Sequence, residues 1–157
     1  MAKQFEPAAS LTARVSSPTG RLTILFVGPP DEDYLSMQAI ISHSNWTLLR
    51  SEDLLSAAAL LEQHEIPVVV CERGDSRGTW IEVLEHIKGL SNAPSLIVAS
   101  KAADDRLWAE ALNLGAWDVL AKPFHHREVF HSVRSGWQHW HDRTERPAAE
   151  GNALRRR

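Results

Sequence analysis

The sequence predicts an α/β fold in which five helices flank a single doubly wound sheet of five parallel strands. Short unbroken apolar runs recur along the chain, and segments with the length and spacing of helices separate them. Unbroken apolar runs of this length suit strands that are buried on both faces. Five alternations of strand and helix are typical of a doubly wound parallel sheet, whose functional edge is the row of loops after the strands.

Each element can be placed along the chain, numbered β1 to β5 and α1 to α5 in order. Ser51, which two acids follow, is typical of a helix N-cap, and Gly89 and Gly115 stand where two helices are expected to end. The predicted strands are residues 22–27, 46–49, 67–71, 95–99 and 118–121. The predicted helices are residues 31–43, 52–64, 79–89, 103–114 and 126–142.

The chain of 157 residues has room for one ordinary domain. Residues 1–20 and 144–157 are rich in small and polar residues without periodicity, and both are expected to be disordered tails. The domain is therefore predicted to span residues 21–143. No further domain is expected after it, so its output is expected to pass through another protein.

The composition argues against several classes of function. A hydrophobic fraction of 43% and a net charge of -3 describe an ordinary globular protein, without the basic surplus that nucleic-acid binding needs. No apolar run is long enough for a membrane span or a signal peptide. A single cysteine, Cys71, excludes an internal disulfide. We therefore expect a cytoplasmic protein that binds neither nucleic acid nor membrane.

The histidines near the C-terminus do not predict a metal site. No two of them are three or four residues apart, so they do not form a paired ligand face on α5. These residues are His125, His126, His131, His139 and His141.

The loop after β1 reads GPPDED and has a sufficient structural explanation. Gly28 turns the chain, and Pro30 lies near the first helical position, where a missing N–H does no harm. Asp31, Glu32 and Asp33 favour the positive end of the helix dipole. The residues that are present in this loop therefore need no catalytic role.

Three features of the second half of the chain match one known pattern. AEALNLGAWDVLAKPF (109–124) combines a helix, Gly-Ala, a strand and Lys-Pro-Phe. Ser100 ends a strand fifteen residues before Gly115, and WIEVLEHIK (80–88) provides the third helix. On these features the block 21–142 resembles the receiver domain of two-component response regulators, flavodoxin-like (βα)5 modules that carry phosphoaspartate signals.

The resemblance implies a site that has lost its usual ligands. In the family an aspartate after β3 accepts a phosphoryl group, and two acids after β1 help to hold the Mg²⁺ that neutralises its charge. Here the phosphoacceptor position falls on Glu72, and the acidic positions fall on Gly28 and Pro29. Neither Gly28 nor Pro29 has a side chain that can hold a metal, so no cofactor is expected.

Two residues that the resemblance assigns to the site are present: Lys122 matches the family's lysine, and Ser100 matches its serine. We expect a permanent ion pair between Glu72 and Lys122, with Ser100 within reach as a hydrogen-bond donor. The state of the domain would then be set by its sequence and not by phosphate. The alternative is that Glu72 simply points to water.

Tryptophans mark a candidate interaction surface. Phe130, Val133 and Trp137 form an apolar stripe that is expected to pack on the sheet. Trp140 is expected to lie past the sheet, and Val119 replaces the family's aromatic switch residue. Together with Trp108 and Trp117, Trp140 and Val119 mark the α4-β5-α5 face. The resemblance implies that this face binds a protein partner or a second copy of the chain. Its proposed residues are Trp108, Trp117, Val119 and Trp140.

Two classes of function follow. The first is a non-enzymatic pseudo-receiver that is independent of phosphorylation and works as an interaction module in two-component signalling. The alternative is a working phosphoacceptor, phosphorylated by a histidine kinase, in which a shifted loop gathers Asp31, Asp33 and Asp75 around Mg²⁺ and Asp75 accepts the phosphoryl group. Mg²⁺ affinity discriminates between them. Binding of a small ligand in the altered loop crevice is a third possibility.

Overall fold

The five strands form one parallel sheet in the order β2-β1-β3-β4-β5. The computed structural model describes residues 21–74 and 78–145. This order is that of the flavodoxin-like doubly wound fold, whose crevice opens where the strand order reverses, between β1 and β3. The predicted fold class is confirmed. The strands are β1 Thr23–Val27, β2 Thr47–Ser51, β3 Val68–Glu72, β4 Ser95–Ser100 and β5 Asp118–Ala121.

Helices connect the strands and cover both faces of the sheet. An aspartate caps three of them at the N-terminus: Asp31 before α1, Asp53 before α2 and Asp104 before α4. Each carboxylate accepts hydrogen bonds from backbone N–H groups in the first turn, which otherwise have no partner in the helix. The helices are α1 Glu32–Ile41, α2 Leu54–Gln63, α3 Gly78–Lys88, α4 Asp105–Leu114 and α5 His126–Glu145.

The sequence marked the ends of three helices, and the structure differs from it at one of them. Ser51 is the buried last residue of β2 and not the N-cap of α2, because Asp53 takes that role by accepting from Ser56 N–H at 2.9 Å. Gly115 ends α4 as predicted, with a φ of +113° that favours glycine. Gly89 directly follows the last residue of α3.

The sheet separates two apolar layers. Alternate residues of the central strands face opposite sides, so β1 sends Ile24 and Phe26 to one layer and Leu25 and Val27 to the other. Helices α1 and α5 close the first layer, and α2, α3 and α4 close the second. Both layers leave the carboxyl ends of the strands uncovered, and this edge is where the candidate site lies.

Helix α5 is held to the sheet by polar contacts as well as by its apolar stripe. Ser95 Oγ donates to the carbonyl of Gly136 at 2.8 Å, and Ser132 Oγ donates to the carboxylate of Asp118. The helix continues to Glu145, so it includes two residues that the sequence assigned to the tail. Residues 1–20 and 146–157 lie outside the described residues. Within the described ranges, no helix is both long and apolar enough to cross a bilayer.

Candidate functional site

The register of the sheet brings the predicted site residues to one crevice. Val27 pairs with Cys71, so the next residues along, Gly28 and Glu72, are neighbours at the switch point between β1 and β3. Ser100 pairs with Ala121, which places Lys122 just beyond the end of β5. The crevice that these strand ends form has a volume of about 570 Å³.

The predicted ion pair between Glu72 and Lys122 is present. Lys122 Nζ donates to Glu72 Oε1, and both side chains are only 7% exposed. The same ammonium also donates to Asp33 Oδ2 at 2.9 Å, a contact that the sequence did not predict. Lys122 therefore joins the end of β3 to the first turn of α1, and the alternative in which Glu72 points to water is wrong.

Gly28 makes the room that Glu72 occupies. A Cβ at this position would lie 3.0 Å from Glu72 Cγ and 3.2 Å from Glu72 Oε2, both closer than ordinary contact. The Oε2 atom is itself buried and has no hydrogen-bond partner among the described residues. Pro29, the other position at which the resemblance expects an acid, is exposed at the rim. Neither residue can supply a metal ligand from its side chain.

The charges of the pair respond to burial and to each other. Burial raises the pKa of Glu72 above its usual range, although the hydrogen bond from Lys122 opposes this shift. Burial lowers the pKa of Lys122, but its hydrogen bonds to Glu72 and Asp33 outweigh burial, so the net shift in pKa is upward. Lys122 is therefore held in its charged form, as the cation between two carboxylates.

Ser100 lies in the crevice but has a different partner from the one expected. Its Oγ accepts a hydrogen bond from the backbone N–H of Ala102 at 3.0 Å, and its carbonyl accepts from Lys122 N–H at 3.1 Å. Among the described residues, no hydrogen bond joins the Ser100 hydroxyl to Glu72. The serine is thus used in the turn after β4, and only its backbone is tied to Lys122.

Two of the acids of the alternative site, Asp31 and Asp33, lie close together beside Glu72. Asp31, Asp33 and Glu72 each place one carboxylate oxygen within 4.8 Å of the others. Asp31 also caps α1 by accepting from Asp33 N–H at 3.1 Å and from Tyr34 N–H at 3.3 Å. Asp75, the third acid of that alternative, lies outside the described residues. These three carboxylates could hold a divalent cation, but two of them already bind Lys122.

Arg50 is a residue of this edge that the sequence reasoning missed. Its Nη1 donates to the carbonyl of Gly28 at 3.2 Å and lies 3.5 Å from Glu52 Oε2. Its guanidinium also lies over the ring of Tyr34, 5.7 Å from the ring centroid. The sequence did contain a signal for this role: Arg50 is a basic residue one position before the end of β2, a strand that borders the crevice. Arg50 fixes the turn in which Gly28 approaches Glu72.

The α4-β5-α5 face is less aromatic than the sequence predicted. Trp140 is buried, and its Nε1 donates to the carbonyl of Asn92 at 3.2 Å, because the loop before β4 covers this part of α5. Val119 is also buried. Trp117 is half-buried, with its Nε1 donating to Ser135 Oγ at 3.1 Å. Of the four predicted residues, Trp108 alone is well exposed, at 40%.

One exposed residue adds to this face. Leu112 is 42% exposed and lies one helical turn after Trp108 on α4. The groove between α4 and α5 is lined by Trp108, by residues 118–121 of β5 and by the first turns of α5. Strand β5 is also the last strand of the sheet, so its outer edge has no neighbouring strand among the described residues.

Comparisons with known proteins give the fold. No protein-family model matches the chain, and no curated protein matches it. The chain is similar to the signal receiver domain of an HD domain-containing protein from Pseudomonas fluorescens Pf-5, with a TM-score of 0.68 and 24% identity over 78% of this chain and 98% of that one. It is also similar to a response regulator from Thermotoga maritima, with a TM-score of 0.68 and 16% identity over 75% of this chain and 98% of that one.

A third solved structure gives the same result. The chain is similar to a two-component response regulator from Clostridium difficile, with a TM-score of 0.65 and 14% identity over 74% of this chain and 96% of that one. These likenesses extend over nearly the whole of each solved chain, at identities of 14% to 24%. The chain therefore has the fold of response regulator receiver domains.

Proposed function

We propose that the chain is a receiver-like module of two-component signalling that is not an enzyme, whose state is independent of phosphorylation and which acts by binding another protein. The observation that carries the proposal is the position of Lys122 Nζ between Glu72 and Asp33. In a phosphorylated receiver the resemblance assigns this lysine to the phosphoaspartate. Here a carboxylate of the chain itself takes that place.

The accessibility of Glu72 supports this proposal. A carboxylate that attacks phosphorus must present an oxygen in line with the leaving group. Glu72 Oε1 accepts a hydrogen bond from Lys122, and Glu72 Oε2 is buried beside Gly28. Neither oxygen is offered to a phosphodonor, and positions 28 and 29 supply no side-chain ligand for Mg²⁺.

The experiment that tests the proposal is incubation of the purified protein with acetyl phosphate and Mg²⁺, followed by intact-mass spectrometry. We expect no phosphoryl adduct. A receiver domain with an aspartate at the acceptor position, treated in parallel, controls for an inactive donor. A stoichiometric adduct on this chain would contradict the proposal, and peptide mapping would locate its acceptor.

A second candidate function is the metal-dependent phosphoacceptor. The specific observation that favours it is the grouping of Asp31, Asp33 and Glu72, whose carboxylate oxygens are the hard ligands that Mg²⁺ prefers. Under this alternative the three acids would hold the ion that neutralises charge on the transferring phosphoryl group, and a histidine kinase would be the donor. The contacts of Lys122 with two of these acids favour the first proposal.

The interaction role is assigned to the α4-β5-α5 face. Trp108 and Leu112 offer adjacent apolar side chains, and tryptophan is enriched among the residues that dominate binding energy at interfaces. The partner is a second copy of this chain or another signalling protein, and sedimentation analysis of the purified protein separates these two. A dimer that Trp108→Ala dissociates assigns the face to self-association, whereas a monomer excludes a second copy as the partner.

A further inference from the structure

Two histidines from different parts of the fold meet at the start of α5. His43 lies in the turn after α1, His126 is the first residue of α5, and their ring centroids are 5.3 Å apart. Both residues are exposed. Along α5 itself, His126 has no second histidine three or four residues away. The pair therefore arises from the tertiary fold and not from the spacing of histidines along the helix.

The nitrogens of both imidazoles are available to a ligand. Within residues 21–74 and 78–145, neither ring makes a hydrogen bond or an ion pair. The rings contact each other, and the ring of His126 also lies 6.0 Å from that of Phe130, measured between centroids. A neutral imidazole has one nitrogen without a proton, and its lone pair can bind a metal ion.

We propose that His43 and His126 form a two-histidine site for Zn²⁺, with water at the remaining coordination positions. The inference is independent of the proposed function, because neither histidine lines the crevice of Glu72 and Lys122. A bound ion would tie the turn after α1 to the first turn of α5. The stability of the domain would then respond to zinc.

The separation of the rings fits one shared ion. A nitrogen bound to Zn²⁺ lies about 2.1 Å from the metal, and the centre of its ring is about 1.1 Å further away, so each centre is about 3.2 Å from the ion. At the tetrahedral angle of about 109°, two such centres are about 5.2 Å apart. The observed separation is 5.3 Å. Because χ2 of histidine is broad, rotation of the exposed rings can direct one nitrogen of each toward the shared ion.

The surroundings of the pair select the kind of metal. Arg127 and Arg134 line the grooves beside the two histidines, and in the described part of the chain these grooves have no acid in their lining. Mg²⁺ and Ca²⁺ need oxygen ligands, chiefly carboxylates, whereas Zn²⁺ binds well to imidazole nitrogen. Since the arginines repel any cation, only a metal that gains strongly from bonds to nitrogen can bind here. We therefore expect Zn²⁺ to bind at this pair and Mg²⁺ not to bind.

The test measures Zn²⁺ binding by calorimetry and by thermal unfolding in the native chain and four variants. His43→Gln and His126→Gln each remove one imidazole, and a third variant combines the two substitutions. His64→Gln is the matched control, since His64 is an exposed histidine that follows the last residue of α2. Each protein is also titrated with Mg²⁺, which tests the expected selectivity.

We expect the native chain and His64→Gln to bind one Zn²⁺ and to melt at a higher temperature with it, because a ligand that binds only the folded state stabilises that state. Each substitution at His43 or His126 should weaken binding at least about tenfold, because one of two bonds to the metal is lost. The double variant should show no rise in melting temperature. Absence of saturable binding by the native chain, or binding that both single substitutions leave unchanged, would overturn the proposal.

NMR of the imidazole nitrogens locates the ion in the native protein, so the result does not depend on whether a variant folds. Long-range ¹H–¹⁵N spectra should show His43 and His126 changing along one common saturation curve with Zn²⁺, while His64 does not change. Changes at only one of the pair, or at the acids of the crevice in place of the pair, would overturn the proposal. The proposed function fails by a different result, a phosphoryl adduct on the native chain.

Discussion

Glu72 fills the space that Gly28 leaves by having no side chain. A Cβ on residue 28 would lie 3.0 Å from Glu72 Cγ, and the two residues are neighbours at the point where the strand order of the sheet reverses. The resemblance assigns one of these positions to a metal-binding acid and the other to the phosphoacceptor. The two residues therefore share one space: with Glu72 in its present position, a Cβ on residue 28 would force a neighbouring side chain to move.

Adding a methyl group at position 28 tests this coupling. We expect Gly28→Ala to lower the free energy of unfolding by about 1 to 3 kcal/mol, because Glu72 and the ring of Phe26 must both move. The cost should be smaller in a Glu72→Ala background, where one of the two clashes is gone. Urea unfolding of the four proteins in this double-mutant cycle measures the difference.

A glycine outside the crevice provides the control for that cycle. Gly89 follows α3, and a Cβ there would make only an ordinary contact of 3.5 Å with the carbonyl of His86. Gly89→Ala is expected to change stability by less than about 0.5 kcal/mol. Equal costs for Gly28→Ala with and without Glu72 would show that the two residues are not coupled.

Removing the charge of Lys122 should destabilise the domain in metal-free buffer. Lys122→Met leaves the buried carboxylate of Glu72 without its countercharge, and loss of one partner from a buried pair typically costs about 3 to 5 kcal/mol. Lys101→Met, at an exposed lysine of the same crevice, should change stability by less than about 0.5 kcal/mol. Similar small effects of both substitutions in chemical denaturation would show that the ion pair contributes little.

The pH dependence of stability should report on Glu72. The pKa of Glu72 is raised in the folded protein, so the protonated carboxyl stabilises the fold. This contribution to the free energy of unfolding is fully present below the ordinary pKa of 4.5 and is lost as the pH rises through the pKa of the folded protein. Lys122→Met removes the group that opposes the rise, and we expect the pKa of Glu72 to increase further. Carboxyl ¹³C NMR of both proteins between pH 4 and 8 measures it. A lower pKa in the variant would contradict this assignment.

Shortening the acid alone should not restore phosphorylation. Glu72→Asp places an aspartate at the acceptor position, but Gly28 and Pro29 still supply no side-chain ligand for Mg²⁺. We expect no adduct with acetyl phosphate in mass spectrometry. A phosphoryl group on the aspartate that this single substitution introduces would show that the acids at positions 31 and 33 suffice to hold the metal.

The exposed apolar pair on α4 should matter for association but not for folding. Combined Trp108→Ala and Leu112→Ala should weaken binding to a partner or a second copy about tenfold or more, with little change in melting temperature. Leu35→Ala with Leu55→Ala is the matched control, since these leucines are 57% and 82% exposed on other helices. Sedimentation velocity compares the two pairs for self-association. An equal effect of both would remove the assignment of this face.

Local pattern was enough to predict the strands, and the resemblance to receiver domains predicted the central ion pair. Unbroken apolar runs placed all five strands to within two residues at either end, and Lys122 follows β5 in a stretch that resembles a known motif. Contacts that depend on the path of the loops could not be predicted. The bond from Lys122 to Asp33 crosses from β5 to α1, and Gly28 meets Glu72 only because β1 and β3 pair in this register.

Trp140 shows the limit of a helical pattern. The stripe on α5 correctly indicated which side of the helix faces the protein, because residues three and four apart share a face. It could not indicate how far the covering structure extends. The loop before β4 lies against this part of α5, and the carbonyl of Asn92 accepts the hydrogen bond from the indole. The tryptophan is therefore a core residue and not part of an interface.

An amide NMR titration of the native protein, first with Mg²⁺ and then with Mg²⁺ and beryllofluoride, a mimic of the phosphoryl group, tests independence from phosphorylation directly. We expect no saturable shifts at Gly28, Asp31, Asp33, Glu72 or Lys122, because Lys122 already binds Asp33 and Glu72 Oε1, and Glu72 Oε2 is buried. Saturable shifts at these residues with beryllofluoride would contradict it and identify the domain as a phosphorylation switch.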